Sequence, residues 1–132
     1  MSFLLDTNVC SEHLRRPSGL SHRFIQHAGR LYLPTIVLGE LLAWAYRRPN
    51  PDSLLQSIAD LRTEVELLVY DERSAEQFGR LRGTLRRQGI AVSVPDLMIA
   101  AVALVHDLTL VTHNTADFQR IPDLRLVDWL IA

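Results

Sequence analysis

The chain has 132 residues and a mass of 15.0 kDa, the length of one ordinary domain, so we expect a single domain over residues 1–132. Hydrophobic residues make up 48% and charged residues 22% of the chain, which excludes a disordered or collagen-like protein. The net charge of −1 supplies no strong overall field, so any polyanion has to be bound locally.

The residue types present exclude several chemistries. All 14 basic residues are arginine, which excludes a phosphate-binding Walker lysine, a Schiff base and a Ser-Lys dyad. The single cysteine, Cys10, cannot form an internal disulfide. The apolar stretch before Asp6 is too short for a signal peptide, and the longest apolar run, Leu97 to Val105, is too short to cross a bilayer. We therefore expect a cytoplasmic protein that does not bind membranes.

Strand and helix patterns alternate along the chain. In order, the sequence predicts a strand over 2–5, helices over 7–16 and 19–28, a strand over 31–33, a helix from 35 to the stop at 47–49, a helix over 51–62, a strand over 65–70, helices over 72–88 and 97–106, a strand over 109–112, a turn or short helix over 113–119 and a strand over 124–127. Thr7 and Asn8 are candidate caps of the first helix, and Asp71 is the candidate cap of the helix that follows it. This alternation predicts an α/β fold, with a central, mostly parallel sheet of four to five strands flanked by helices.

Four acidic residues are candidates for a site at the carboxyl edge of this sheet, where ligands of open parallel sheets bind. Asp6 follows the first strand, and Asp117 lies shortly after the fourth. Glu40 and Asp96 lie on helices that must pack against the sheet. Glu40 follows Gly39 in an apolar helix, where an unpaired charge would be costly to bury without a ligand or solvent.

Converging carboxylates without a basic neighbour must be protonated or must hold a cation. Hard oxygen ligands without His or Cys favour Mg²⁺ or Mn²⁺ over zinc, and such an ion can support metal-assisted phosphoryl transfer. Each acid also has a simpler interpretation. Asp6 resembles a strand-end cap, Asp96 a first-turn acid stabilised by the helix dipole, and Asp117 part of a capping turn.

Four short motifs occur in a defined order: Leu4-Leu5-Asp6-Thr7-Asn8, Gly39-Glu40, Pro95 to Ala101, and Leu110 to Phe118. Together they resemble a PIN-domain ribonuclease of the VapC toxin type, over essentially the whole chain. The resemblance implies that an acidic quartet binds Mg²⁺ or Mn²⁺ and that four polar residues support it. The quartet is Asp6, Glu40, Asp96 and Asp117, with Asp6 and Asp96 its most dependable ligands, and the supporting residues are Thr7, Asn8, Thr112 and Asn114.

The same resemblance implies the toxin of a type II toxin–antitoxin pair, which cleaves structured RNA such as tRNA, forms a homodimer and is inhibited by a small cognate antitoxin. A guanidinium fork matches a carboxylate, so we expect the antitoxin to place an Arg among the four acids. Its chain would then follow the apolar positions beside Glu40, which are Leu41, Leu42, Trp44 and Ala45.

Two departures from the family pattern concern Val102, where relatives often carry His, and the RNA contacts, for which only Arg is present. The alternatives are a non-catalytic PIN-like binding module and a different metal-dependent phosphoesterase of the same fold class. The four acids argue against a decayed, non-catalytic module. The absence of Lys argues against a phosphorylated receiver domain or a haloacid-dehalogenase-type phosphatase.

Overall fold

Five strands form one sheet in the computed structural model, which describes residues 1–131. They are β1 (Phe3–Leu5), β2 (Leu31–Pro34), β3 (Glu66–Leu68), β4 (Thr109–Val111) and β5 (Leu126–Val127). Their order is β3-β2-β1-β4-β5, and every neighbouring pair is parallel. The predicted α/β fold with a mostly parallel sheet is confirmed, and the described sheet is parallel throughout.

Helices connect and flank these strands. They are α1 (Thr7–Arg15), α2 (Pro17–Gln26), α3 (Thr35–Tyr46), α4 (Asp52–Glu64), α5 (Glu72–Arg87), α6 (Val94–Val105) and α7 (Thr115–Phe118). The largest boundary difference is at α6, which begins three residues before the predicted Leu97. It begins earlier because the Ser93 hydroxyl caps it by accepting the Asp96 N–H, and because Pro95 is favourable in a first turn. Within residues 1–131 no helix is long and apolar enough to span a membrane.

The connections change direction at the centre of the sheet. From β1 the chain moves outward to β2 and β3 on one side, and it then returns to β4 and β5 on the other. β1 and β4 are therefore neighbours although they are far apart in sequence, with Phe3 opposite Thr109 and Leu5 opposite Val111. In open parallel sheets ligands bind in the crevice at such a reversal, so the topology predicts a binding site at the residues after β1 and β4.

The core surrounds these two central strands. All three residues of β1 and all three of β4 are buried. α6 contributes six buried residues, mostly small ones such as Ala100 and Ala103, which allow its backbone to pack closely. Fully apolar strands are expected in a parallel sheet that helices cover.

Shortening the buried Leu4 side chain should destabilise the fold. Leu4 is fully buried in β1, so Leu4→Ala leaves a cavity and should lower the free energy of unfolding by about 2–5 kcal/mol. Ile25→Ala is the control, because Ile25 is 76% exposed and its truncation should change stability by less than ~0.5 kcal/mol. Urea denaturation measures both, and equal midpoints for the two variants would contradict this account of the core.

Candidate active site

Asp6 lies at the point where β1 becomes α1. Its backbone N–H donates to the Val111 carbonyl at 3.0 Å, which extends the pairing of β1 with β4 by one residue. Its own backbone is extended, and its side chain accepts the Thr7 N–H, so Asp6 is the N-cap of α1. The prediction that Thr7 or Asn8 caps this helix is therefore wrong by one or two residues. The cap fixes the Asp6 carboxylate at the carboxyl edge of the sheet.

Two hydrogen bonds hold the Asp6 carboxylate, which belongs to a residue only 5% exposed. Oδ1 accepts the Thr7 backbone N–H at 2.8 Å, and Oδ2 accepts the Thr112 hydroxyl at 2.8 Å. Thr112 is itself fully buried and directly follows β4. The carboxylate is thus joined to the ends of both central strands.

Asparagine side chains and backbone groups surround Thr112. Its hydroxyl oxygen accepts the Asn114 N–H at 3.1 Å and the Asn8 side-chain amide at 3.4 Å. The Asn8 carbonyl oxygen accepts the His113 N–H at 3.1 Å, so Asn8 joins α1 to the loop after β4. The structure therefore places Asn8, Thr112 and Asn114 in one hydrogen-bonded network beneath Asp6.

Glu40 reaches this network from α3. The Thr7 hydroxyl donates to Glu40 Oε1 at 2.7 Å, which links the first turn of α1 to the middle of α3. Glu40 and Gly39 are exposed, whereas Val37 and Leu41 face the core. Of the two alternatives that the sequence left open for Glu40, a ligand or solvent, the structure shows solvent, because the carboxylate lies on the exposed side of an apolar helix.

Asp96 and Asp117 face each other across a groove of about 260 Å³. Asp96 is half-buried in the first turn of α6, and Asp117 is exposed on α7. The loop from Ile90 to Ser93 also lines this groove, together with Ala116 and Arg120. The sequence analysis missed Arg120, which follows the end of α7 and lines the same groove as Asp117.

The four carboxylates affect one another electrostatically. Burial raises the pKa of Asp6, and the charges of Asp96 and Glu40 raise it further, against the hydrogen bonds from Thr112 and Thr7. Burial also raises the pKa of Asp96, which Asp117 and Glu40 raise further, against the hydrogen bond with Ser93. Every predicted acid therefore lies near at least one of the others. Across residues 1–131 none of the four forms an ion pair with an Arg or His.

The chemistry of these donors fits a hard divalent cation. All four side chains offer carboxylate oxygens, and repulsion among them is relieved by a positive charge. In the part of the chain that the structure describes, no group of three or more His, Cys, Asp or Glu side chains is close enough together to hold a metal ion. An open arrangement suits Mg²⁺, which keeps several waters and binds proteins through one or two carboxylates.

Comparison with known proteins assigns the chain to a family. The PIN domain model matches residues 3–124. The tRNA(fMet)-specific endonuclease VapC of Shigella flexneri is 34% identical over 130 residues, which cover 98% of each chain. Ribonuclease VapC2 of Haemophilus influenzae is 31% identical and covers 98% of this chain and 99% of its own. The chain therefore belongs to the PIN-domain family, among the VapC ribonucleases.

Solved structures agree with this assignment. The DNA-bound VapBC of Salmonella typhimurium contains a chain that matches with a TM-score of 0.92 and 34% identity, over 98% of both chains. VapBC-1 of nontypeable Haemophilus influenzae matches with a TM-score of 0.86 and 32% identity, again over 98% of both. The predicted resemblance to PIN-domain ribonucleases of the VapC type is confirmed. Nucleases of this family depend on divalent metal ions, in agreement with the carboxylate donors described above.

The raised pKa of Asp6 predicts how stability depends on pH when no metal is bound. A carboxyl group whose pKa is raised on folding stabilises the folded state below its ordinary pKa, near ~4, and this stabilisation is lost as pH rises through the folded-state value. In EDTA the stability of Asp6→Asn relative to the wild type should therefore increase as pH rises above about 4, because the variant lacks the stabilisation that the wild type loses.

Urea midpoints measured across this pH range provide the comparison. Asp123→Asn is the matched control, because Asp123 is an exposed turn residue with a φ of 65°, a conformation that Asn also tolerates. The control should keep the wild-type pH dependence. If Asp6→Asn also kept the wild-type pH dependence, folding would not raise the pKa of Asp6.

Proposed function

We propose that this protein is a Mg²⁺- or Mn²⁺-dependent endoribonuclease, the toxin of a type II toxin–antitoxin pair, and that it cleaves structured RNA such as tRNA. The observation that carries the proposal is Asp6, a buried carboxylate held by Thr7 and Thr112 near other acids that form no ion pair within residues 1–131. The relatives named as ribonucleases and as a tRNA(fMet)-specific endonuclease support the choice of RNA over other phosphodiesters.

The proposed metal ligands are Asp6 and Asp96, assisted by Glu40 and Asp117. A bound divalent ion would lower the pKa of a coordinated water and neutralise charge on the phosphodiester. The supporting residues hold the ligands in place. Thr112 and the Thr7 N–H fix the orientation of Asp6, the Thr7 hydroxyl restrains Glu40, and Asn8 and Asn114 hold Thr112.

The proposal extends to partners and location. The solved relatives include VapBC complexes, and those of Salmonella typhimurium and Rickettsia felis are bound to DNA, which supports a small cognate antitoxin for this chain. We also propose a homodimer, a cytoplasmic location and one PIN domain over residues 1–132. The predicted antitoxin path along α3 needs a correction, because Leu41 and Ala45 are fully buried and only Leu42 and Trp44 are partly accessible.

Activity should depend on the divalent ion and on individual carboxylates. We expect the purified protein to cleave total tRNA with Mg²⁺ or Mn²⁺ and to be inactive in EDTA. Asp6→Asn and Asp96→Asn should each reduce cleavage by at least about 100-fold, because Asn keeps the shape but loses the anionic ligand. Gel analysis of 5′-labelled RNA measures the rates, and Asp123→Asn should cleave like the wild type.

Two results would contradict this function. Full cleavage in EDTA would exclude the metal mechanism. A folded, metal-binding protein that cleaves no RNA would favour the alternative of a binding module, or a phosphoesterase with another substrate.

Metal binding should also respond to the antitoxin. If an antitoxin Arg occupies the space among the four acids, the purified toxin–antitoxin complex should bind Mn²⁺ at least about tenfold more weakly than the free toxin. Electron paramagnetic resonance of free Mn²⁺ measures both affinities. Equal affinity would show that the antitoxin inhibits at a distance from the acids.

A further inference from the structure

The groove between Asp96 and Asp117 continues beyond the acids. A second depression of about 420 Å³ adjoins it and is bordered by the C-terminal half of α5. The two depressions share the loop residues Ile90, Ala91 and Val92, so they meet at this loop. We call the two together the arginine groove, because Arg120 lines its acidic end and Arg82 and Arg86 line its far end.

The charges along the arginine groove differ from those of the whole chain. Between Glu76 and Asp96 the sequence contains four arginines and no acidic residue. In residues 1–131 none of the three groove arginines forms an ion pair. The Arg82 guanidinium lies 6.0 Å from the centre of the Phe78 ring, which restrains it, and Arg86 is exposed. The groove therefore leads from a cluster of carboxylates to guanidinium groups that no acid neutralises.

The helix dipole accounts for the position of Arg86 but not for that of Arg82. Cations are favoured in the last turn of a helix, and Arg86 and Arg87 both lie in the last turn of α5. Arg82 lies one turn earlier, where the dipole stabilises it less. Arg87 does not line the groove, and its guanidinium is 3.4 Å from the Thr84 hydroxyl. Arg82 and Arg86, which lie one turn apart, both border the groove.

We propose that the arginine groove binds a single-stranded segment of the RNA substrate, with Arg82 and Arg86 contacting backbone phosphates and Arg120 contacting the strand next to the acids. This inference rests on the proposed ribonuclease function. A chain of net charge −1 does not attract RNA as a whole, and the four carboxylates repel phosphates, so nearby cations must retain the strand. The planar guanidinium fork matches a phosphate oxygen pair, and these arginines act as positioning residues.

The decisive comparison is between two adjacent arginines. Arg86→Gln and Arg87→Gln remove the same charge from the same helix turn, but only Arg86 borders the groove. The binding probe is a fluorescein-labelled oligouridylate of about 12 nucleotides, measured by anisotropy with the full-length protein in EDTA between ~50 and 200 mM salt. Arg86→Gln and Arg82→Gln should each weaken binding about tenfold and lower the salt slope by ~0.7, which is the loss of one phosphate contact with a single strand.

Arg87→Gln should stay within about twofold of the wild type, because a single exposed charge is largely screened. In tRNA cleavage with Mg²⁺, Arg86→Gln should raise KM and leave kcat unchanged, as expected for a residue that binds substrate away from the reacting bond. Urea midpoints of both variants establish that they are folded.

Equal losses for Arg86→Gln and Arg87→Gln would overturn the proposal, because general charge and not the groove would then bind RNA. Unchanged RNA binding combined with weakened antitoxin binding would also overturn it and would make the groove a protein-binding surface. The proposed function is tested separately: a wild type that cleaves no RNA refutes the ribonuclease, whereas oligouridylate binding still reports on the groove.

Discussion

The hydrogen bond between the Thr112 hydroxyl and the Asp6 carboxylate joins the two halves of the molecule at the centre of the sheet. Both residues directly follow buried strands, so the position of the carboxylate depends on the β1–β4 pairing and on the packing of helices around it. An ionised group with this little exposure is tolerated only because the Thr7 N–H and Thr112 hydroxyl partly replace the lost hydration. Because the Asp6 carboxylate is fixed in this way, the other three acids have a defined position relative to it.

This arrangement lowers the stability of the metal-free fold, because it keeps carboxylates together at a place where a cation can bind. Carboxylates close enough to raise one another's pKa repel one another, and no Arg is paired with them among the described residues. Placing arginines within the cluster would relieve the repulsion and would also occupy the space for a metal. Guanidinium groups instead line the adjoining depressions, on α5 and after α7, where they can contact a polyanion that reaches the acids.

Local signals in the sequence were sufficient for most of the fold. The short apolar run before Asp6 predicts the end of β1, and Asp71 predicts the start of α5 because its cap geometry is local. Global features were harder to predict. α3 is apolar on most positions, so its pattern does not show that Glu40 faces solvent, and the Asp6 cap competes with Thr7 and Asn8 for the same role. The groove was not predicted because it joins α5, α6 and α7 through the loop at Ile90, which no local pattern specifies.

The parallel pairing of β1 with β4 has a consequence during synthesis of the chain. Asp6 emerges early, but Thr112 and Asp117 are among the last quarter of the residues to be translated. At roughly 5–20 residues per second, synthesis from Asp6 to Asp117 takes roughly 5–20 s, and for most of that time the carboxylate lacks its hydroxyl partner Thr112 and the complete set of acids. A nascent chain on the ribosome therefore cannot complete the β1–β4 pairing or the proposed acidic site until most of it has been translated, and a truncated product that lacks β4 cannot form either one.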